Sequence, residues 1–374
     1  MQIDARALLT LTLIPGVGPA RLRSLVNHFK DPALIVQSSA KDLLAAEGID
    51  RKTAVSIVTF YRHGGHENAK RYLDDQLSRL NRVDGHIVTI WDQGYPSLLK
   101  RIYDPPPILF ARGEFLPPDH LAIAIVGTRK PSPYGQQMAE RFADGFARAG
   151  VTVVSGLARG IDTVAHATTL RSGGRTLAVI GSGIDVTYPS ENKRLADQIA
   201  ERGVVASEFP MGTKPDAMNF PRRNRIISGM TLGTLVIETG IDGGAMITAT
   251  TALDQNRQVF ALPSAVTDGR RSGTNLLIRE GRALLVESVA EILDELAPQL
   301  ARVSDKPLPV RKQPAVELTL FEQRLYDGVS GNPIHIDALA DKSGLSAADT
   351  LVNMLSLEFK GLVRQLPGKF FVRS

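Results

Sequence analysis

The chain has 374 residues, 43% hydrophobic and 22% charged, the composition of a globular protein of two or three domains. It contains no cysteine, which excludes disulfides, thiolate metal sites, iron–sulfur clusters and a cysteine nucleophile. Its net charge of +5 is spread thinly, so any polyanion site must be a local cluster and not a whole-surface field. The N-terminus lacks a basic stretch followed by a long apolar run, so no signal peptide or membrane span is read, and a cytoplasmic location is expected.

Residues 1–75 read as short helices forming a helix-hairpin-helix or SAM-like unit. Apolar residues recur at helical spacing on both sides of Pro15-Gly16-Val17-Gly18. That turn is either a phosphate-facing hairpin or a plain helical reversal. Residues 76–120 form a connector with strands of its own and an extended segment at Pro105-Pro106-Pro107. Trp91, the only tryptophan, is expected to pack this connector onto the next domain.

Across 121–298 short β-branched runs alternate with amphipathic helices. The runs are AIAIVG (122–127), VTVVSG (151–156), TLAVIG (176–181), VVASEF (204–209), TLVIET (234–239), QVFALP (258–263) and ALLVES (283–288). Continuous apolar strands between helices predict an α/β fold, a doubly wound, mostly parallel sheet covered on both faces. Residues 299–315 are rich in proline and charge and read as a linker. Residues 316–374 have helix, turn, helix and then two strand-like runs around Pro367-Gly368, the order of a winged helix.

In a doubly wound sheet, ligands bind beyond the carboxyl ends of the strands. After the first run, GTRKPSPYG offers Gly127 for close approach, the hydroxyls of Thr128 and Ser132, and Arg129 as a bidentate anion ligand. It is neither a Walker A loop nor a dinucleotide fingerprint. After the second, SGLARGIDTVAH offers Ser155, Gly156 and Gly160, with Asp162 read as a cap orienting His166. After the third, GSGIDVTYPSENKRL places the Tyr188 ring beside Asn192 and Lys193, which suits stacked bases with flanking phosphates. The bland alternative is a core tyrosine and a solvated lysine.

After the fourth run comes MNFPRRNRIISGM (218–230). On a helix, Arg222 and Arg225 share a flank at i, i+3. They are expected to face the pocket with Asn219 and Asn224, while Arg223 points outward or into a salt bridge. After the fifth, Gly243-Gly244 opens a helix of small residues, an anion-receptive N-terminus. The sixth is followed by Arg270 and Arg271 in a Gly/Ser loop. Glu208 and Glu238 stand at strand ends, as catalytic groups or as partners of the arginines. No catalytic constellation, metal site or cofactor is legible. Repetition of glycine loops and cations at equivalent strand ends predicts one extended anionic site.

These motifs, GTRKPSPYG, SGLARGID, GSGIDVTYPSENKRL, SEFPMGTKP, NFPRRNRIISG, ETGIDGGAMITA and GTNLLIREGRA, occur in order across 121–290. Together they resemble the DprA/Smf family of DNA-processing proteins. The resemblance implies an extended Rossmann-like domain that binds single-stranded DNA without sequence preference, and that forms a homodimer. It implies loading of the RecA recombinase during natural transformation, and it does not imply catalysis. By motif, Arg129 and Lys193 sit where the family holds DNA phosphates, with the 219–225 segment adjoining. The alternative reading is a nucleotide-processing or nucleotide-sensing protein, such as a phosphoribohydrolase-like enzyme, with Glu238 as its base.

Overall fold

A computed structural model describes residues 3–265, 267, 272–303, 318–330, 333–360, 362–366 and 368–373. The chain divides into two compact units, Met1–Asp305 and Lys306–Ser374.

The first unit begins with α1 (Ala5–Thr12), α2 (Pro19–Phe29), α3 (Pro32–Gln37), α4 (Ala40–Leu43), α5 (Arg51–Arg62) and α6 (Gly65–Arg82). Local chemistry sets these starts. Asp4, Asp31 and Asp50 cap α1, α3 and α5, and Ser39 with Asp42 makes a capping box on α4. Gly16, at φ +91°, allows the reversal before α2. Arg21 then stitches two turns together, donating to Gly16 O at 2.9 Å, Gly48 O at 3.1 Å and Asp50 Oδ2 at 2.8 Å. Leu8, Leu22, Leu25 and Ile57 of the helices share one apolar cluster with Ala178, Ile180 and Ile184 of the sheet region. Residue 75, where a boundary was expected, lies inside α6.

The connector strands β1 (Gly85–Thr89) and β2 (Ile108–Arg112) pair antiparallel and join the main sheet at its edge. Trp91 touches the sheet's cluster, as expected, and also donates its Nε1–H to Asn27 Oδ1 of α2 at 2.9 Å. It therefore ties the connector to the helices as well.

The alternating region runs β3 (Ala122–Val126), α7 (Pro133–Arg148), β4 (Thr152–Ser155), α8 (Ile161–Arg171), β5 (Thr176–Val179), α9 (Lys193–Arg202), β6 (Val204–Ser207), α10 (Asn219–Gly229), β7 (Gly233–Val236), α11 (Gly244–Asp254), β8 (Gln258–Ala261), α12 (Gly273–Arg279), β9 (Leu284–Leu285) and α13 (Val289–Val303). All seven predicted runs contain a strand. The sheet order is β1-β2-β6-β5-β4-β3-β7-β8-β9, and β3 to β9 are parallel. The chain leaves β3 in one direction and returns beside it as β7, so the switch point lies between their carboxyl ends. Phe142, Phe146 and Phe260 fill one face, and Ile226 and Ile227 help fill the other. The expected linker at 299–315 begins within α13, and its residues 304–315 lie outside the described residues.

The second unit holds α14 (Leu320–Gly328), β10 (Ile334–His335), α15 (Ile336–Ser343), α16 (Ala347–Phe359), β11 (Val363–Leu366) and β12 (Phe370–Arg373). Its sheet order is β10-β12-β11, the winged-helix arrangement. Leu325, Leu339, Met354, Leu357 and Phe371 form its core. Glu322, in the capping box of α14, also accepts from Lys360 Nζ at 2.7 Å and Ser356 Oγ at 2.7 Å.

Candidate nucleic-acid interface

The loops after β3, β4 and β7 meet at the switch point through close backbone contacts. Thr128 N donates to Glu238 O at 2.7 Å. A Cβ on Gly160, at φ +80°, would stand 2.4 Å from Thr128 O, so only glycine lets these loops touch. Several polar residues expected to face an anion instead hold the loops. Ser132 caps α7, accepting from Gly135 N at 3.0 Å, and donates to Glu238 Oε2 at 2.6 Å. Ser155 donates to Ile125 O at 2.6 Å and is fully buried. Asn192 donates to Leu157 O at 2.9 Å and Thr163 Oγ1 at 2.8 Å. Asn219 ties the start of α10 to Gly181 O at 3.1 Å. Lys193 opens α9 as an exposed cation. Arg270 and Arg271 lie outside the described residues.

Between β3 and β7 lies a cavity of about 630 Å³. Gly127, Thr128, Arg129 and Lys130 line one side, Phe220, Arg223 and Asn224 another, and Gly243 and Gly244 a third. Gly243 and Gly244 open the 11-residue α11, so its first N–H groups and positive dipole end face the cavity. A smaller cavity of about 30 Å³ adjoins it, lined by Gly156, Arg159, Tyr188 and Phe220. Arg129, Ala158 and Phe220 line both, so the two form one groove. The Arg129 guanidinium carbon lies 5.2 Å from the centre of the Phe220 ring, and the Tyr188 ring lies 6.1 Å from Phe220. Tyr188 is 42% exposed, which rules out the core reading. An exposed tyrosine ring beside a cation-covered, half-buried phenylalanine is a surface that can take a stacked base and its phosphate.

The expected division among the arginines is corrected. Arg223 does not point outward. It is 4% exposed, donates to Gly156 O at 2.6 Å and to Val179 O, lies 5.9 Å from the Phe220 ring centre and lines the larger cavity. Arg225 turns to the connector instead, pairing with Asp104 at 3.0 Å and Glu208 at 2.5 Å. Arg222 lies exposed over Phe209 at 5.3 Å. The physical reason is helix phase. Arg223 shares its face with Ile226 and Ile227 at i+3 and i+4, and that face packs on the sheet beneath the cavity. Glu208 is thus a structural partner of Arg225, and burial raises its pKa against the pull of that guanidinium.

In the lining of the larger cavity, Asp162 accepts from Gly156 N at 3.1 Å and Ala158 N at 3.3 Å. Burial raises its pKa, and Arg223 opposes the shift. The same burial lowers Arg223 to about 10. Asp162 was expected to orient His166, but His166 pairs through Nδ1 with Thr176 Oγ1 at 2.7 Å. Because Thr176 donates to Val153 O, Nδ1 of His166 carries the proton. Burial, reinforced by Arg223, pushes His166 down to about 3, so it is neutral. Phe220 and Lys130 were missed as site residues. The signal was present in Phe220, an aromatic placed directly between Asn219 and the arginine run.

Residues 86–297 match the family model described as DNA recombination-mediator protein A. Residues 309–369 match a DprA winged helix domain, and 8–61 a SAM-like helix-hairpin-helix tandem. Protein Smf of Escherichia coli is 35% identical over 303 residues, covering 80% of this chain and 81% of that protein. The crystal structure of DNA processing protein A from Streptococcus pneumoniae aligns with TM-score 0.67 and 32% identity, over 79% of this chain and 99% of that one. DNA processing protein A from Helicobacter pylori, described for its single-stranded DNA binding mode, aligns with TM-score 0.52 and 26% identity, over 57% of this chain and 96% of that one. With the motifs, the doubly wound sheet and these matches in agreement, the chain belongs to the DprA/Smf family of DNA recombination-mediator proteins.

Proposed function

We propose that this protein binds single-stranded DNA along the strand-end groove, without sequence preference, and hands it to a RecA-type recombinase during DNA uptake and recombination in the cytoplasm. The observation that carries the DNA reading is Arg129 stacked over Phe220 beside the exposed Tyr188, next to a cavity that faces the N-terminus of α11. Stacking accepts any base, and backbone cations read no sequence. The relative described for its single-stranded DNA binding mode supports the same reading. The recombinase step and the homodimer rest on family membership. Exposed Leu284 and Leu285 on the edge strand β9 offer apolar surface for self-association. Among the described residues no helix is long and apolar enough to cross a membrane.

The nucleotide-processing alternative gains nothing from Glu238. Its carboxylate accepts from Ser132 Oγ and N at the start of α7, and it lines a different cavity beside Tyr134 and Pro263.

The test is anisotropy binding of labelled oligo-dT of increasing length with unlabelled duplex as competitor. Affinity should rise with length over several nucleotides and resist duplex. Affinity independent of length, or full displacement by equimolar duplex, would refute the reading. Light scattering of the protein alone checks the dimer, and recombinase filament assembly on protein-coated strands checks the hand-over.

A further inference from the structure

The larger cavity presents more positive charge than one internal phosphodiester can balance. Arg129 and Lys130 are exposed at its mouth, and among the described residues neither has a carboxylate partner. Arg223 lies at its floor, 4% exposed, and its Nε–H has no acceptor. The N-terminus of the 11-residue α11 adds a positive dipole end and unpaired N–H groups. A Cβ at Gly244 would meet nothing within 4 Å, so this helix start is open. The one carboxylate in the lining, Asp162, has Oδ2 engaged by two backbone amides.

A second observation is independent of that charge. Asn224 is 9% exposed and lines the cavity, and among the described residues its side-chain amide has no hydrogen-bond partner. Its amide opens into the cavity, where a ligand can pair with it. The volume of about 630 Å³ also far exceeds what a backbone phosphate passing the mouth would fill, and it lies within the range of small-molecule sites.

A phosphodiester carries a single charge, whereas a phosphomonoester carries roughly −1.5 to −2 at neutral pH. We propose that this cavity is a phosphomonoester site, which seats the phosphorylated end of a strand or a free nucleoside monophosphate against Arg129, Lys130, Arg223, Asn224 and the start of α11. The strand-end form rests on the DNA reading above, with the rest of the strand leaving over Phe220 into the aromatic part of the groove.

The experiment compares oligo-dT carrying a 5′-phosphate, a 3′-phosphate or hydroxyls at both ends, and adds thymidine monophosphate and thymidine as competitors. One phosphorylated end should bind about tenfold tighter than the hydroxyl-ended strand, equivalent to about 1.4 kcal/mol. The monophosphate should displace it and thymidine should not. The preference should shrink between pH 7.5 and 5.5, as the second ionisation near pH 6 is reversed. Asn224→Ala, checked for an unchanged melting temperature, should move the affinity ratio toward one.

A strand-end preference without competition by the monophosphate assigns the site to DNA ends, and competition without an end preference assigns it to free nucleotides. Equal binding of all three strands with no competition overturns the proposal and leaves the DNA reading standing. Binding of the monophosphate with no binding of any strand removes the DNA reading and keeps the site. If nothing binds, both fail.

Discussion

The strand-end groove and the winged helix are both elements associated with nucleic acid, and the helices at the two present different side chains to solvent. At the groove Arg129 lies exposed over the Phe220 ring, Lys130 and Lys193 are exposed, and Arg159 pairs with the exposed Glu191. In the winged helix Lys360 is half-buried and pairs with Glu322, while Lys342, Arg364 and Lys369 are exposed. The outward positions of α16 are Ala347, Ala348, Asp349, Val352 and Leu355, with Val352 66% exposed. A helix that reads duplex DNA presents basic and amide side chains to the major groove. This one presents aliphatic groups and an acid. An association of a fold with nucleic acid therefore does not by itself assign DNA binding, and the exposed side chains decide.

The sharpest way to break this comparison is to strip both surfaces. Arg129→Ala with Phe220→Ala removes a backbone cation and a stacking face, each contributing about 1–3 kcal/mol. Oligo-dT affinity should fall by about 100-fold or more. Asp349→Ala with Val352→Ser in α16 should change it less than about twofold, since neither side chain contacts a phosphate-receptive group. Anisotropy titrations of both variants check this, and similar losses in the two would erase the contrast.

A smaller effect is expected from the support of the groove. Gln76 of α6 is 3% exposed, and its amide pairs with the main chain of Met211, accepting at 2.8 Å and donating at 3.2 Å. This clamps the segment between β6 and α10, which delivers Phe220 and Arg223. Gln76→Ala strands two buried main-chain groups, so unfolding stability should drop by about 1–3 kcal/mol. DNA affinity at a temperature where the protein stays folded should fall by about threefold to tenfold. An unchanged melting curve would refute the clamp.

Acid should separate the units by mechanism. His166 has its pKa depressed from 6.5 to about 3 in the fold, so the unfolded chain binds a proton first as pH falls. The first unit therefore loses stability from pH 6.5 downward, by about 1.4 kcal/mol per unit at the steepest. Glu322 is depressed from 4.5 to about 2, chiefly by its hydrogen bond from Lys360 and then by Thr319 N–H and Ser356. Its contribution is present above pH 4.5 and is lost between there and about pH 2. Melting curves over pH 7 to 3 should show a shallower slope for His166→Asn near pH 6, and for Glu322→Gln only below pH 4.5.

The parallel sheet was legible because its strands are buried on both faces and read as β-branched runs between glycine turns. The glycine loops were legible for the same local reason, and the motif order carried the family. What stayed hidden depends on contacts distant in sequence. Ser132 and Glu238 are 106 residues apart, so nothing local shows that this hydroxyl is already engaged. Helical spacing placed Arg222 and Arg225 on one flank of α10 and Arg223 on another, but it did not say which flank meets the cavity. The buried Ile226 and Ile227 held that answer, since a guanidinium on their face must lie over the sheet. The connector strands looked separate because antiparallel edge pairing with β6 joins segments almost a hundred residues apart, Phe110 with Ser207 among them.

Backbone phosphates are expected to lie against Arg129 and not against the winged helix. The direct test is the salt dependence of oligo-dT affinity for the unaltered protein, for Arg129→Ala and for the α16 variant. Logarithmic plots should fall with a slope of about −0.7 per phosphate contacted. Arg129→Ala should make that slope shallower by about 0.7, and the α16 variant should leave it unchanged. A slope that Arg129→Ala does not alter, or that the α16 variant reduces, would place the phosphates elsewhere.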